Sequence, residues 1–140
     1  DKRRGVILQF LFESRLIMID PIIDLVGINL NNTTFDNIVL NGIKITGAYF
    51  KSCSMISANF RGSNFSASDF SNSNLNECLL EGANFTYSTM RNVKMRNVDF
   101  TNSIIEGVDF AGADLGGSRM TNDQFNSLKN VKFKVKPQLV

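Results

Sequence analysis

The sequence predicts an all-β solenoid: a square coil, about five turns deep, stacked along one axis and covered at both ends. Three columns of residues predict it. Every fifth position is large and apolar, in the order Leu25, Leu30, Phe35, Leu40, Ile45, Phe50, Met55, Phe60, Phe65, Phe70, Leu75, Leu80, Phe85, Met90, Met95, Phe100, Ile105, Phe110, Leu115, Met120 and Phe125. Nine of the 12 Phe fall on these 21 centres, and there is no slip in register. Two residues before each centre the chain is small: Ala48, Cys53, Ala58, Ser63, Ser68, Ser73, Cys78, Ala83 and Ser88, and only Ala, Ser, Cys or Val onward to Ser118. Two residues after each centre, from Gly27 to Asn122, 15 of 20 positions are Gly or Asn, the residues that best tolerate positive φ. A period of five matches neither the 3.6 of a helix nor the 2 of a strand. It matches a chain that turns a corner every five residues, so that four pentads close a square. Each pentad then sends one large and one small residue inward.

Residues 1–20 precede the period. Lys2 to Arg15 reads as a short amphipathic helix with Val6, Ile7, Phe10, Leu11 and Ile17 on one face, ended by Pro21. It is expected to cap the first coil, since terminal units of repeat arrays need a cover. A lipid-surface role is disfavoured by its mixed charge. The chain opens at Asp1 without an initiator Met, directly before this helix, and reads as a fragment or a processed product.

Residues 21–125 form the coil. Ile28, Ile38 and Ile43 replace small residues in the first turn, so that end of the core must be wider or pack on the helix. With 20 residues per coil, residues i and i+20 stack about 4.8 Å apart. The charged pairs at that spacing are Asp24/Lys44, Arg61/Glu81, Lys94/Asp114 and Asp99/Arg119, all of opposite sign.

Residues 121–140 read as a C-terminal cap. Thr121 and Gln124 have the spacing of a capping box opening a helix to about Leu128. Val131, Phe133 and Val135 then alternate with Lys132, Lys134 and Lys136, a period-two strand pattern. That strand either covers the end of the core in cis or pairs with a second molecule.

Pentads such as Ala58-Asn59-Phe60-Arg61-Gly62, Ala83-Asn84-Phe85-Thr86-Tyr87 and Ala113-Asp114-Leu115-Gly116-Gly117 resemble the consensus of the pentapeptide-repeat family. The resemblance spans residues 23 to 125 and implies a right-handed quadrilateral β-helix. The segment from Arg4 to Ser14 is also similar to what precedes the repeats in some larger members, in some of which transmembrane or other domains lie further upstream.

The chemistry open to the chain is narrow. There is no His and no Trp, which excludes His-based triads, proton shuttles and His metal sites. No Gly-rich phosphate loop precedes a helix, and a side-chain-filled coil offers no pocket, so no enzyme, cofactor, metal or small-molecule substrate is expected. Cys53 and Cys78 read as reduced, small core residues, which favours an intracellular compartment. No apolar run approaches membrane-spanning length. Asn31, Asn32, Asn64 and Asn84 open N-x-S/T triplets that an Asn/Ser/Thr-rich repeat produces by chance.

Some relatives of similar sequence mimic DNA and inhibit topoisomerases. Here the repeats from Pro21 to Met120 carry seven basic and nine acidic residues, too balanced for the long-range field that mimicry needs. Arg91, Lys94 and Arg96 form a local patch rather than a phosphate track, so nucleic acid is not an expected partner. Outward apolar residues point instead to protein: Val39 and Leu79 in one column, with Ile56 near the same corner, form a candidate partner surface. The expected function is a non-catalytic structural or protein-interaction rod. Self-assembly through the coil ends and topoisomerase inhibition are the alternatives.

Overall fold

The structure, a computed structural model, describes residues 2–17, 25–128 and 132–140. Its elements are α1 (Lys2–Glu13), β1 (Arg119–Met120), α2 (Asn122–Ser127) and β2 (Gln138–Leu139). From Leu25 to Ser118 the chain is a β-helix without long strands. Single parallel bridges join residues 20 apart, beginning Asn29↔Tyr49, Thr34↔Ser54, Val39↔Asn59 and Lys44↔Asn64, one on each face of the square. The bridging residue is always the one before a centre. On most rungs the centre's N–H donates one way along the axis, as Phe60 does to Leu79 O at 2.9 Å, and the bridging residue donates the other way, as Leu79 does to Ala58 O at 3.0 Å.

The corners follow from local chemistry. From Gly27 to Gly117, every residue two after a centre except Asn102 has positive φ, whether Gly, Asn or another type. The residue before the centre is Asn or Asp in about half of the described pentads, and there its side-chain oxygen accepts the N–H two residues on. Asn59 to Arg61 (3.2 Å), Asp69 to Ser71 (2.9 Å) and Asn84 to Thr86 (2.9 Å) are examples. Such Asx turns help bend the chain at those corners.

The core is a stack. The centres from Leu25 to Met120 are buried, with Phe50 stacked on Phe70 (4.8 Å between centroids) and Phe65 on Phe85 (5.6 Å). The small column is buried too and does more than leave room. Ser63, Ser73 and Ser103 donate to the carbonyl of the centre 23 residues earlier: Leu40, Phe50 and Leu80. Cys53 and Cys78 follow the same rule toward Leu30 and Met55.

Both ends differ from expectation in detail. In α1 the inward face is Gly5 and Leu8, with Leu11 and Phe12 packed partly against the core, while Val6, Ile7 and Phe10 point outward at 68%, 57% and 62% exposure. Gly5 sets this rotation. A Cβ there would lie 2.6 Å from the Thr34 carbonyl, so only glycine lets the helix lie so close to the first coil. The open edge of that coil is met by helix side chains. Arg4 donates to Asn31 O (3.3 Å), and Gln9 accepts from Val39 N (3.3 Å). Ile38 and Ile43 are buried and Ile28 is half-buried against this end.

At the other end, Phe125 is not a coil centre. It belongs to α2, half-buried, and stacks on Phe133 at 5.9 Å. The segment after α2 continues the coil in parallel. Gly112 N donates to Lys132 O, Leu115 N to Val135 O, and β2 pairs with β1 in the register Arg119↔Gln138. The chain thus supplies its own final rungs. Val131 lies outside the described residues.

Candidate interaction surfaces

Outward residues are set by the same columns, and most polar ones are already engaged. Arg61–Glu81 (3.4 Å) and Arg119–Asp99 (3.5 Å) are ion pairs 20 residues apart. Lys94 and Asp114, expected to pair, do not. Asp114 is held by Arg96, at 3.0 Å from Nε and 2.8 Å from Nη2. The reason is reach: a long side chain just after one centre extends diagonally to the residue before a centre on the next coil, 18 positions on. Lys51–Asp69 (3.0 Å) and Arg91–Asp109 repeat that diagonal. Arg91 and Arg96 are therefore tied to carboxylates rather than forming a free basic patch. The hydrogen bond from Arg96 holds the Asp114 carboxyl below the usual carboxylate range, and the Thr101 hydroxyl does the same for Asp99.

The cysteines are inert by placement. Both are free and buried, and burial pushes the Cys78 thiol up to about 12 and that of Cys53 above its ordinary value. Among the described residues no three His, Cys, Asp or Glu side chains gather as metal ligands. No described helix is long and apolar enough to cross a membrane.

Val39, Ile56 and Leu79 are exposed, at 46%, 36% and 41%. The ladder runs Val39↔Asn59↔Leu79, so Asn59 stands between the two that share a column. They make two separate apolar points rather than one patch. Val39 instead joins a groove of about 810 Å³ between α1 and the first coil, with Val6, Phe10, Phe35 and Ile38 among its walls. The coil alone offers no such hollow, and the sequence reading missed it because the helix rotation that makes it rests on Gly5. A smaller cleft of about 320 Å³ opens beside Leu79 and Asp99. Asp36, the one acid on the coil wall of the groove, is committed to Ser54 Oγ (2.6 Å) and Ile56 N (2.9 Å). Neither hollow pairs a nucleophile with a base.

The family description "Pentapeptide repeat region" matches residues 48–135, and "Pentapeptide repeats (8 copies)" matches residues 23–62. No curated protein matches the chain. Among solved structures, a pentapeptide repeat protein of the Arabidopsis thaliana thylakoid lumen is similar at a TM-score of 0.44 and 20% identity, over 65% of this chain and 63% of that one. HetL, a pentapeptide repeat protein involved in heterocyst differentiation regulation in Nostoc sp. strain PCC 7120, is similar at 0.41 and 16%, over 67% of this chain and 54% of that one. The chain thus spans less than two thirds of either protein.

Proposed function

The chain belongs to the pentapeptide-repeat family, and from that premise we propose that it is a non-catalytic structural or protein-interaction module, a rigid right-handed β-helical rod. About five coils, with centres from Leu25 to Met120, make up the rod in this reading. Residues 1–20 close one end through α1, and residues 121–140 close the other through α2 and the paired C-terminal segment. A single observation carries the reading. Inward positions are filled by core, while most outward carboxylates and cations are tied into Asx turns and ion pairs between coils, so the surface presents shape rather than reactive groups. Val39, Ile56 and Leu79 are the proposed points of protein contact, with Phe133 and Val135 in the terminal cover.

Solution mass by light scattering tests the rod as a self-contained unit: one chain per particle is expected, and concentration-dependent growth would favour self-assembly. Gyrase supercoiling at physiological salt should be unchanged by the protein, and inhibition would move the reading to DNA mimicry. The Val39→Ser/Leu79→Ser pair should keep the wild-type melting temperature while weakening partner binding.

A further inference from the structure

The parallel ladder is interrupted at one rung among the described residues. By the pattern of the coil above, Leu80 N should donate to Asp99 O, and Asp99 N to Cys78 O. Neither bond forms, and no bridge joins 79 to 99, although Asn74↔Lys94 and Asn84↔Ile104 flank the gap on neighbouring faces. The 320 Å³ cleft lies at this rung, beside Leu79, Glu81, Asp99 and Thr101. Past the gap, Gly82 N donates to Asn102 O at 3.1 Å, where the pattern calls for Thr101 O. The slip is confined to this turn, since Phe85 N again donates to Ile104 O in the ordinary register. Asn102 is also the one turn residue between Gly27 and Gly117 without positive φ.

Residue type does not explain the slip, because Asn32, Asn37, Asn72, Asn92 and Asn97 all take the left-handed turn. What differs is the neighbour below. On most rungs the carbonyl of the small residue accepts from the next coil's main chain, as Ser63 O does from Asn84 N. Below Ser103 the next coil is replaced by α2, and the side chain of Gln124 takes over. Its Nε2 donates to Phe100 O at 2.6 Å and to Ser103 O at 2.9 Å, the two ends of the slipped turn. Its Oε1 accepts from Thr121 N at 2.8 Å, which anchors the clamp to the start of α2.

We propose that α2 and this rung are coupled: Gln124 holds the Phe100–Ser103 turn in its slipped form, and the slipped turn keeps the rung between Leu79 and Asp99 open. With the clamp released, the turn takes the left-handed form of its neighbours, the two missing bonds form, and the cleft closes. The element has two discrete arrangements, one of which depends on α2, so anything that draws α2 away shuts a cleft one coil above it. Conversely, whatever fills the cleft stabilises α2 in place.

Amide hydrogen exchange on the full chain tests both halves. Leu80 and Asp99 should exchange at least about 100-fold faster than Phe60 and Leu79, their paired equivalents one coil up. Equal protection would overturn the open rung. Gln124→Glu keeps the oxygen that accepts from Thr121 but removes the amide donors, so exchange at Leu80 and Asp99 should slow toward the Phe60 level. Gln124→Met removes the donors without adding charge and should do the same. If both variants keep the fast exchange of the parent, the coupling is wrong.

Discussion

Each inward serine carries a hydroxyl, and the rod uses most of them. Ser73 Oγ accepts from Cys53 N and donates to Phe50 O, whereas the buried Ser88 Oγ has no partner. Ser73→Ala should cost about 1–3 kcal/mol and Ser88→Ala nothing or less than nothing, read by urea denaturation. The sequence showed these residues as small, because size repeats every five positions. Their acceptors were hidden, since each lies 23 residues away on a different coil. Turn residues divide in the same way. Gly62 and Gly107 have matching φ of 65° and 66°, but a Cβ meets nothing at Gly62 and lies 2.4 Å from the Tyr87 ring at Gly107. Gly62→Ala should cost the left-handed strain alone, about 1–2 kcal/mol. Gly107→Ala should cost more, and Tyr87→Ala in the same molecule should return it to the Gly62 value.

At the scale of a coil, charge works along diagonals. The side chain of Asp114 is 6% exposed and its carboxylate is held by Arg96, so it stays ionised in the fold at pH values where the unfolded chain binds a proton. Because that pKa lies below its unfolded value, the stabilisation is present above the ordinary carboxylate range and is lost as pH falls through the depressed value. Melting temperature should fall below about pH 4, and Asp114→Asn should flatten that fall. The pairs at i+20 were legible as stacked columns. Those at i+18 were not, because they depend on side-chain reach rather than backbone register. The ends were the least legible elements, since they lie outside the period. The rotation of α1 is fixed by Gly5 against Thr34, a contact 29 residues apart. Gly5→Ala should therefore lift α1, lower the melting temperature and speed exchange at Val39 N. Truncation after Leu128 removes the rungs on Ala113, Leu115, Ser118 and Met120. It should yield aggregates or new oligomers by light scattering, because it bares a sheet edge.

The whole molecule behaves as a line of coils, each touching only its neighbours. Removing residues 45–64 joins Lys44 to Phe65 and keeps every remaining residue on its own face. That shortened chain should fold, with a lower melting temperature and the same circular dichroism shape. Removing Asn64 alone should unfold the rod, since each later centre would turn to the wrong side. The period made the rod readable from the sequence alone; the open rung was not readable, because it arises where coil gives way to helix. The spacing of the ladder also governs descent. A gene for such a rod can gain or lose twenty codons and still pass on a working protein. Five codons turn everything downstream by a quarter circle, and one codon is a loss. Lineages carrying this rod should therefore differ in length by whole coils, with tolerated single-codon changes confined to the two ends.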